Sequence, residues 1–248
     1  MIIAGKTDIG QIRAENQDTW RAGRRADGTG WALVCDGMGG ARAGGLASRT
    51  AAGSMEQQLW EAAPREAENG GAVLAEAVSQ ANLAVYQRAQ EGGSSTYGMG
   101  TTIAAVLVRG RDVFYAHVGD SRIYLCRGGI LVQLTRDHSR VQEMVEAGVI
   151  TQQQAKVHPK RNQITRALGV GPQVQVDVGS IPVQPGDCLL LCSDGLSNQL
   201  TEQQLTGVLS DTEVHHRPAQ LIQLANQAGG PDNITAVVVQ ITEEELHG

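Results

Sequence analysis

The sequence predicts an α+β fold in which helices cover largely antiparallel sheets, and three observations carry that prediction. Apolar, β-branched runs of strand length recur along the chain. Short glycine-bearing links join some of them closely enough to close hairpins. Helical periodicity, by contrast, is confined to a few segments that each carry one apolar stripe.

The strand-length runs are Trp31 to Cys35, Thr102 to Val108, Val113 to Val118, Arg122 to Cys126, Ile130 to Leu134, Val174 to Val178, Asp187 to Cys192 and Ile234 to Ile241. Gly128-Gly129 tolerates positive φ between two of them, and Gly110-Arg111 links another pair. Helices are expected at Gly44 to Trp60, Ala72 to Gln90 and Pro218 to Ala228, where Leu221, Leu224, Ala225 and Ala228 share a face. Shorter ones are expected at Ser139 to Ala147 and Thr151 to Ala155, inside a polar excursion at the sheet rim. The first two long helices flank a Gly/Pro/Glu-rich break at Pro64 to Gly71, and Glu243 to Gly248 reads as a solvated tail. Strands buried on both faces and helices with one stripe favour sheets inside and helices outside.

The chain has 248 residues, 41% of them hydrophobic, which is enough for a substantial core in one domain. Its 31 glycines and single phenylalanine suit tight turns and small aliphatic packing. A net charge of -6 provides no positive field for nucleic acid or an anionic membrane surface. The four cysteines form no C-x-x-C pair and lie in or beside apolar runs, as expected of small hydrophobes in a reduced, cytoplasmic setting. No leader peptide is expected at the N-terminus, and no apolar stretch approaches the roughly 20 residues of a bilayer crossing.

The chemistry concentrates in aspartates at strand ends. Asp36 and Asp194 each end an apolar run and precede a glycine, whereas Asp18 and Asp232 stand just before runs. In antiparallel sheets two carboxylates leaving strands and two entering them can meet at one end. Four anions in one place repel and take up protons unless cations offset them. Oxygen donors without His or Cys at zinc-like spacing select hard ions, Mn²⁺ or Mg²⁺. Gly37 adds a backbone carbonyl that no Cβ obstructs.

Seven pieces in order, Arg13-Ala14-Glu15-Asn16-Gln17-Asp18, Asp36-Gly37-Met38-Gly39-Gly40, Met99-Gly100-Thr101-Thr102, His117-Val118-Gly119-Asp120-Ser121-Arg122, Leu134-Thr135-Arg136-Asp137-His138-Ser139, Ser193-Asp194-Gly195-Leu196 and Asp232-Asn233-Ile234-Thr235, span most of the chain. Together they resemble the metal-dependent protein phosphatases of type 2C, the PPM family, and most closely its compact bacterial members. The resemblance implies a four-layer α/β/β/α sandwich formed by a single catalytic domain over residues 1–248, with a flap at about 139–166. It implies two core ions and a weaker third. Asp36 would bridge the two core ions, with the Gly37 carbonyl and Asp18 completing their shells, and Asp194 and Asp232 would hold the second. Asp120 and Asp194 would share the third, and Arg13 would grip phosphate oxygens.

The implied reaction is hydrolysis of phosphoserine and phosphothreonine by hydroxide bridging two metals, without a covalent phosphoenzyme. Implied partners are phosphorylated proteins opposite a Ser/Thr kinase, met by a cytoplasmic monomer. In the flap, Lys156, His158, Lys160, Arg161 and Arg166 form a basic cluster that would steer substrate, with His158 as a contact. Met38 stands where many eukaryotic members have an acid-donating histidine, and Ala41 and Gly45 depart from the bacterial pattern, which bears on residues behind the ligands. Two other readings compete: a phosphoprotein-binding module without activity, and a two-metal hydrolase of small phosphate esters. Asn233-Ile234-Thr235 matches a glycosylation sequon and reads as incidental beside its place at a strand start.

Overall fold

The computed structural model describes residues 1–61, 69–211 and 213–243. Most of the break at Pro64 to Gly71 and the tail beyond Glu243 lie outside the described residues. In chain order the elements are β1 (Ile2–Asp8), β2 (Asp18–Arg24), β3 (Gly30–Met38), α1 (Gly40–Glu61), α2 (Gly70–Glu91), β4 (Gly100–Thr101), β5 (Ile103–Arg109), β6 (Asp112–Val118), β7 (Arg122–Arg127) and β8 (Ile130–Gln133). There follow α3 (Arg140–Glu146), α4 (Gln152–Lys156), β9 (Asp177–Pro182), β10 (Cys188–Cys192), α5 (Asp194–Ser197), α6 (Glu202–Asp211), α7 (Arg217–Gln227) and β11 (Ile234–Gln240).

One sheet runs β1-β11-β10-β7-β8 and the other β2-β3-β5-β6-β9, with β4 beside β3. Every strand pairing among the described residues is antiparallel. Gly128 and Gly129 take φ of 56° and 78° and bring Arg127 opposite Ile130, so the expected hairpin forms.

The alternation of β3 shows why the layers stack. Ala32 and Val34 face Ala104, Val106, Leu189, Leu191, Val237 and Val239 between the two sheets. Trp31, Leu33 and Cys35, on the other face, pack under Ala47, Ala51 and Met55 of α1 and Leu74, Val78 and Val85 of α2. Leu190 and Val238 do the same beneath Leu205, Val208, Leu221 and Ala225 of α6 and α7. Each fully buried Leu, Val or Met contributes about 1.5–3 kcal/mol, so three such interfaces hold the four-layer α/β/β/α sandwich together. All four cysteines are buried, and burial pushes the Cys188 and Cys192 thiols up to about 12.

Several elements differ from the sequence expectation, among them β4, α5 and the start of α1 at Gly40 rather than Gly44. β1 was not anticipated, because only its first two residues are large and apolar and it lies half-buried at a sheet edge. α6 was not anticipated either. The last sheet strand before β10 begins at Asp177 rather than Val174; Val174 and Val176 pack on the outer core before the ladder starts. Among the described residues no helix is long and apolar enough to cross a membrane.

Candidate active site

The aspartates meet because of where the ladders stop. Asp18, the first residue of β2, is the register partner of Asp36 on β3, so both side chains leave the same face of the sheet. Asp194 begins α5 two residues after the last residue of β10, and Asp232 lies two residues before β11. Asp120 sits in the β6–β7 turn, where Gly119 takes φ of 107° and its missing Cβ leaves room for Thr102. Asp36, Gly37, Met38, Asp120, Asp194, Asp232 and Arg13 all line one cavity of about 550 Å³. Asp18 lies beneath it, 7% exposed.

Their charges do not balance among themselves. Burial above all raises the Asp18 carboxyl, to about 7, against the lowering effect of hydrogen bonds from Thr235 and Ser193 and with smaller contributions from Asp194 and Asp232. Asp120 is raised to about 8 and Asp194 to about 6, again chiefly by burial and then by neighbouring aspartates. Asp36 is held well above the ordinary carboxylate range by burial and by Asp18, Asp194, Asp120 and Asp232. Asp18 Oδ1 is buried with no hydrogen-bond partner. Stacked carboxylates with an orphaned oxygen and only oxygen donors fit hard divalent cations. The backbone is shaped to match: a Cβ on Gly37 would stand 2.1 Å from the Gly44 carbonyl oxygen, so helix α1 reaches the carboxylates only because both positions lack side chains.

Residues that sequence reasoning passed over hold this arrangement in place. Asn233 Oδ1 accepts from Gln17 N at 2.8 Å while its Nδ2 donates to Ile9 O at 3.0 Å and Glu15 O at 2.9 Å. Asn233 is therefore the clasp of the loop carrying Arg13, and its place beside Asp232 was the available signal. Thr101 Oγ1 donates to Asp36 O at 2.9 Å and Thr102 Oγ1 accepts from Asp36 N at 3.0 Å, fixing the backbone of that aspartate from both sides. Arg122 grips Asp137 with Nε and Nη2 at 2.9 and 2.6 Å beside Asp120.

Arg13 reaches the cavity as expected and donates to Asp232 Oδ2 at 2.7 Å, with 55% of its side chain exposed. The segment 139–166, expected as a flap, has its ends joined by the Ser139–Ile164 bridge and by Arg140 N donating to Gln163 O at 2.8 Å. A larger groove of about 1170 Å³ runs from the aspartates between the flap and the α5–α6 segment, lined by Lys156 and Arg161 among others. Two of the basic flap residues are placed otherwise than expected. Arg166 is committed to Asp177 at 2.6 Å. His158 lines neither the cavity nor the groove; its Nδ1 accepts from Lys160 N at 3.1 Å and closes a turn.

His117, His138 and Asp177 form another cluster of potential metal ligands. Its geometry is that of a hydrogen-bond network. Gly119 N donates to His138 Nδ1 at 3.0 Å, and Nε2 lies 3.2 Å from Asp177 Oδ2 and 3.1 Å from Arg166 Nη1, so both ring nitrogens already have protein partners. The two rings stack at 4.6 Å, which turns their lone pairs parallel rather than convergent, and the Arg166 guanidinium already supplies the cation.

A two-sheet sandwich with an oxygen-only carboxylate cleft and an arginine at its mouth defines a phosphoester-handling, metal-site class of protein. Comparison with known sequences and structures narrows the class. A profile of the family described as protein phosphatase 2C matches residues 11–227, and the chain belongs to that family. A protein of Streptococcus pyogenes named putative protein phosphatase 2C-type is 37% identical over 99% of this chain and 100% of its own length. The serine/threonine phosphatase stp of Listeria monocytogenes is 38% identical over 95% of this chain and 94% of its own. Among solved structures, the S. agalactiae serine/threonine phosphatase superposes with a TM-score of 0.90 at 37% identity, covering 97% of this chain and 99% of that one. The catalytic domain of the serine/threonine protein phosphatase PstP, in complex with two manganese ions, gives 0.87 at 35% identity, covering 98% of both chains.

Proposed function

We propose that this chain hydrolyses phosphoserine and phosphothreonine in proteins as a Mn²⁺- or Mg²⁺-dependent phosphatase, acting as a cytoplasmic monomer on targets of a Ser/Thr kinase or on the kinase itself. The observation that carries the reading is the convergence of Asp36, Asp120, Asp194 and Asp232 on one cavity, with Arg13 at its edge and Asp18 buried beside it, where burial and neighbouring aspartates raise Asp18, Asp36, Asp120 and Asp194. Asp36, the Gly37 carbonyl and Asp18 would hold one ion and Asp36, Asp194 and Asp232 a second; Asp120 and Asp194 would take a weaker third. Bound there, such ions would supply positive charge for the phosphoryl oxygens and lower the pKa of a bound water.

The rest falls to the chain's own residues. Arg13 exchanges Asp232 for two phosphate oxygens, a bidentate fit that orients the ester. Asp18 and Asp36, fixed by ladder register, hold their oxygens in place before substrate arrives. Met38 contributes an apolar wall and no proton, and among the described residues no side chain lining the cavity repeats the histidine acid of other members. The groove beyond the cavity has room for residues flanking a phosphorylated side chain, which favours protein over small-ester substrates. Retention of every carboxylate favours an enzyme over a binding module.

The direct assay is hydrolysis of an aryl phosphate with Mn²⁺, with and without chelator, followed by phosphoserine peptides. Turnover that chelator does not abolish, or full activity in Asp194→Ala, contradicts the proposal.

A further inference from the structure

The carboxylates hold the site, and Asp18 is the one most completely held in turn. It opens β2 in one sheet, yet its hydrogen-bond donors come from the other. Ser193 Oγ donates to Asp18 Oδ2 at 2.7 Å and Thr235 Oγ1 donates to the same oxygen at 2.6 Å. Both hydroxyl residues are fully buried, and the distances are those of charge-assisted bonds.

Proton counting fixes the direction of the rest. A hydroxyl has one proton, and that of Thr235 is on Asp18. The 2.7 Å contact between Thr7 Oγ1 and Thr235 Oγ1 therefore runs from Thr7 to Thr235. Thr7 Oγ1 itself accepts from Asn16 Nδ2 at 2.9 Å, and Ser193 Oγ accepts from Thr235 N at 3.0 Å. Every donor points the same way, and the chain ends on Oδ2. Asp18 Oδ1 receives none of them and is buried without any partner.

We infer that Thr235, Ser193 and Thr7 are positioning residues that occupy Asp18 Oδ2 and so present Oδ1 alone to a divalent cation. Through them the sheet of β1, β10 and β11 aims a ligand that belongs to β2, across the gap between the sheets. The inference rests on the proposed metal site. It adds that the affinity of the site is set partly by hydroxyls that touch neither cation nor substrate.

The test is Mn²⁺ binding by titration calorimetry on the wild-type chain, Thr235→Val, Thr235→Ser and Thr7→Val, with thermal melts in chelator as a check on folding. Thr235→Val should weaken Mn²⁺ binding by about tenfold to a hundredfold, the range for loss of a group that orients a metal ligand. Thr235→Ser should restore most of it, and Thr7→Val should fall between. The KM for an aryl phosphate at saturating Mn²⁺ should not move. Equal Mn²⁺ affinity in wild type and Thr235→Val overturns the inference, as does a serine variant as weak as the valine one. Wild-type affinity in Thr7→Val overturns the relay from Thr7. Should Thr235→Val fail to fold, Thr7→Val carries the test, since Thr7 is only half-buried and bonds no carboxylate. Absence of Mn²⁺ binding by the wild-type chain would instead contradict the metal site itself.

Discussion

Asp18 and Asp36 stand directly opposite each other across β2 and β3, two like-charged residues at a register position where a sheet ordinarily places a compatible pair. Such a pair costs stability in the metal-free chain and gains its use from a cation. At pH 8 in chelator, Asp36→Asn should therefore melt higher than wild type. For a chain of this size each kcal/mol gained raises Tm by about 2–4 °C. The same variant should lose Mn²⁺-dependent hydrolysis. An unchanged or lower melting temperature would show that the pair is not strained.

The pH dependence of the stripped chain follows from the same groups. Asp194, Asp18 and Asp120 titrate at about 6, 7 and 8 in the folded state, above the ordinary aspartate range near 4. The folded chain thus retains protons that the unfolded chain has released. Its stability is greatest below about pH 4 as far as these groups are concerned, and is lost as pH rises from there through about 8. Melts in chelator should fall in Tm across pH 5 to 8, and Mn²⁺ should restore most at the alkaline end. A Tm rising across that window in chelator would contradict the assignment.

Arg13 is mostly exposed and its ion pair with Asp232 contributes little to folding. Arg13→Ala should leave the melting temperature almost unchanged while lowering kcat/KM for aryl phosphate by about tenfold to a hundredfold, in line with loss of a bidentate charged contact worth about 1.5–3 kcal/mol. Arg13→Lys should recover only part, because an ammonium does not match two oxygens at once. Steady-state kinetics at saturating Mn²⁺ decides the matter; equal rates in all three forms would remove Arg13 from phosphate binding.

What was legible in the sequence followed from burial. β3, β5, β10 and β11 are covered on both faces, so they appear as unbroken apolar runs, and the aspartates at their ends could be placed before any coordinates. β1 was not legible, since an edge strand half-open to solvent carries no such run. α6 had a signal that was overlooked: Thr201 and Gln204 cap its start reciprocally, with Thr201 Oγ1 accepting from Gln204 N and Gln204 Oε1 accepting from Thr201 N at 2.9 Å. The residues that hold the ligands were hidden for another reason. Asn233, Ser193 and Thr235 act through partners over 170 positions away in the chain, and a hydroxyl beside a motif aspartate looks the same in sequence whether or not it bonds a carboxylate. The basic residues of segment 139–166 are alike in composition, which does not reveal that Asp177 already holds Arg166 while Lys156 and Arg161 line the groove.

The role proposed for these aspartates is to hold catalytic metal ions for removing phosphate from proteins. Release of phosphate from a phosphothreonine peptide, followed while Mn²⁺ is titrated into chelator-treated wild type and Asp194→Ala, tests it most directly. Turnover should be absent without metal, should rise saturably as Mn²⁺ is added to wild type, and should fall by at least about a hundredfold in the variant, at the upper end of what loss of one group at a metal site costs. Turnover in the metal-free wild type, or equal turnover in both proteins, would contradict it.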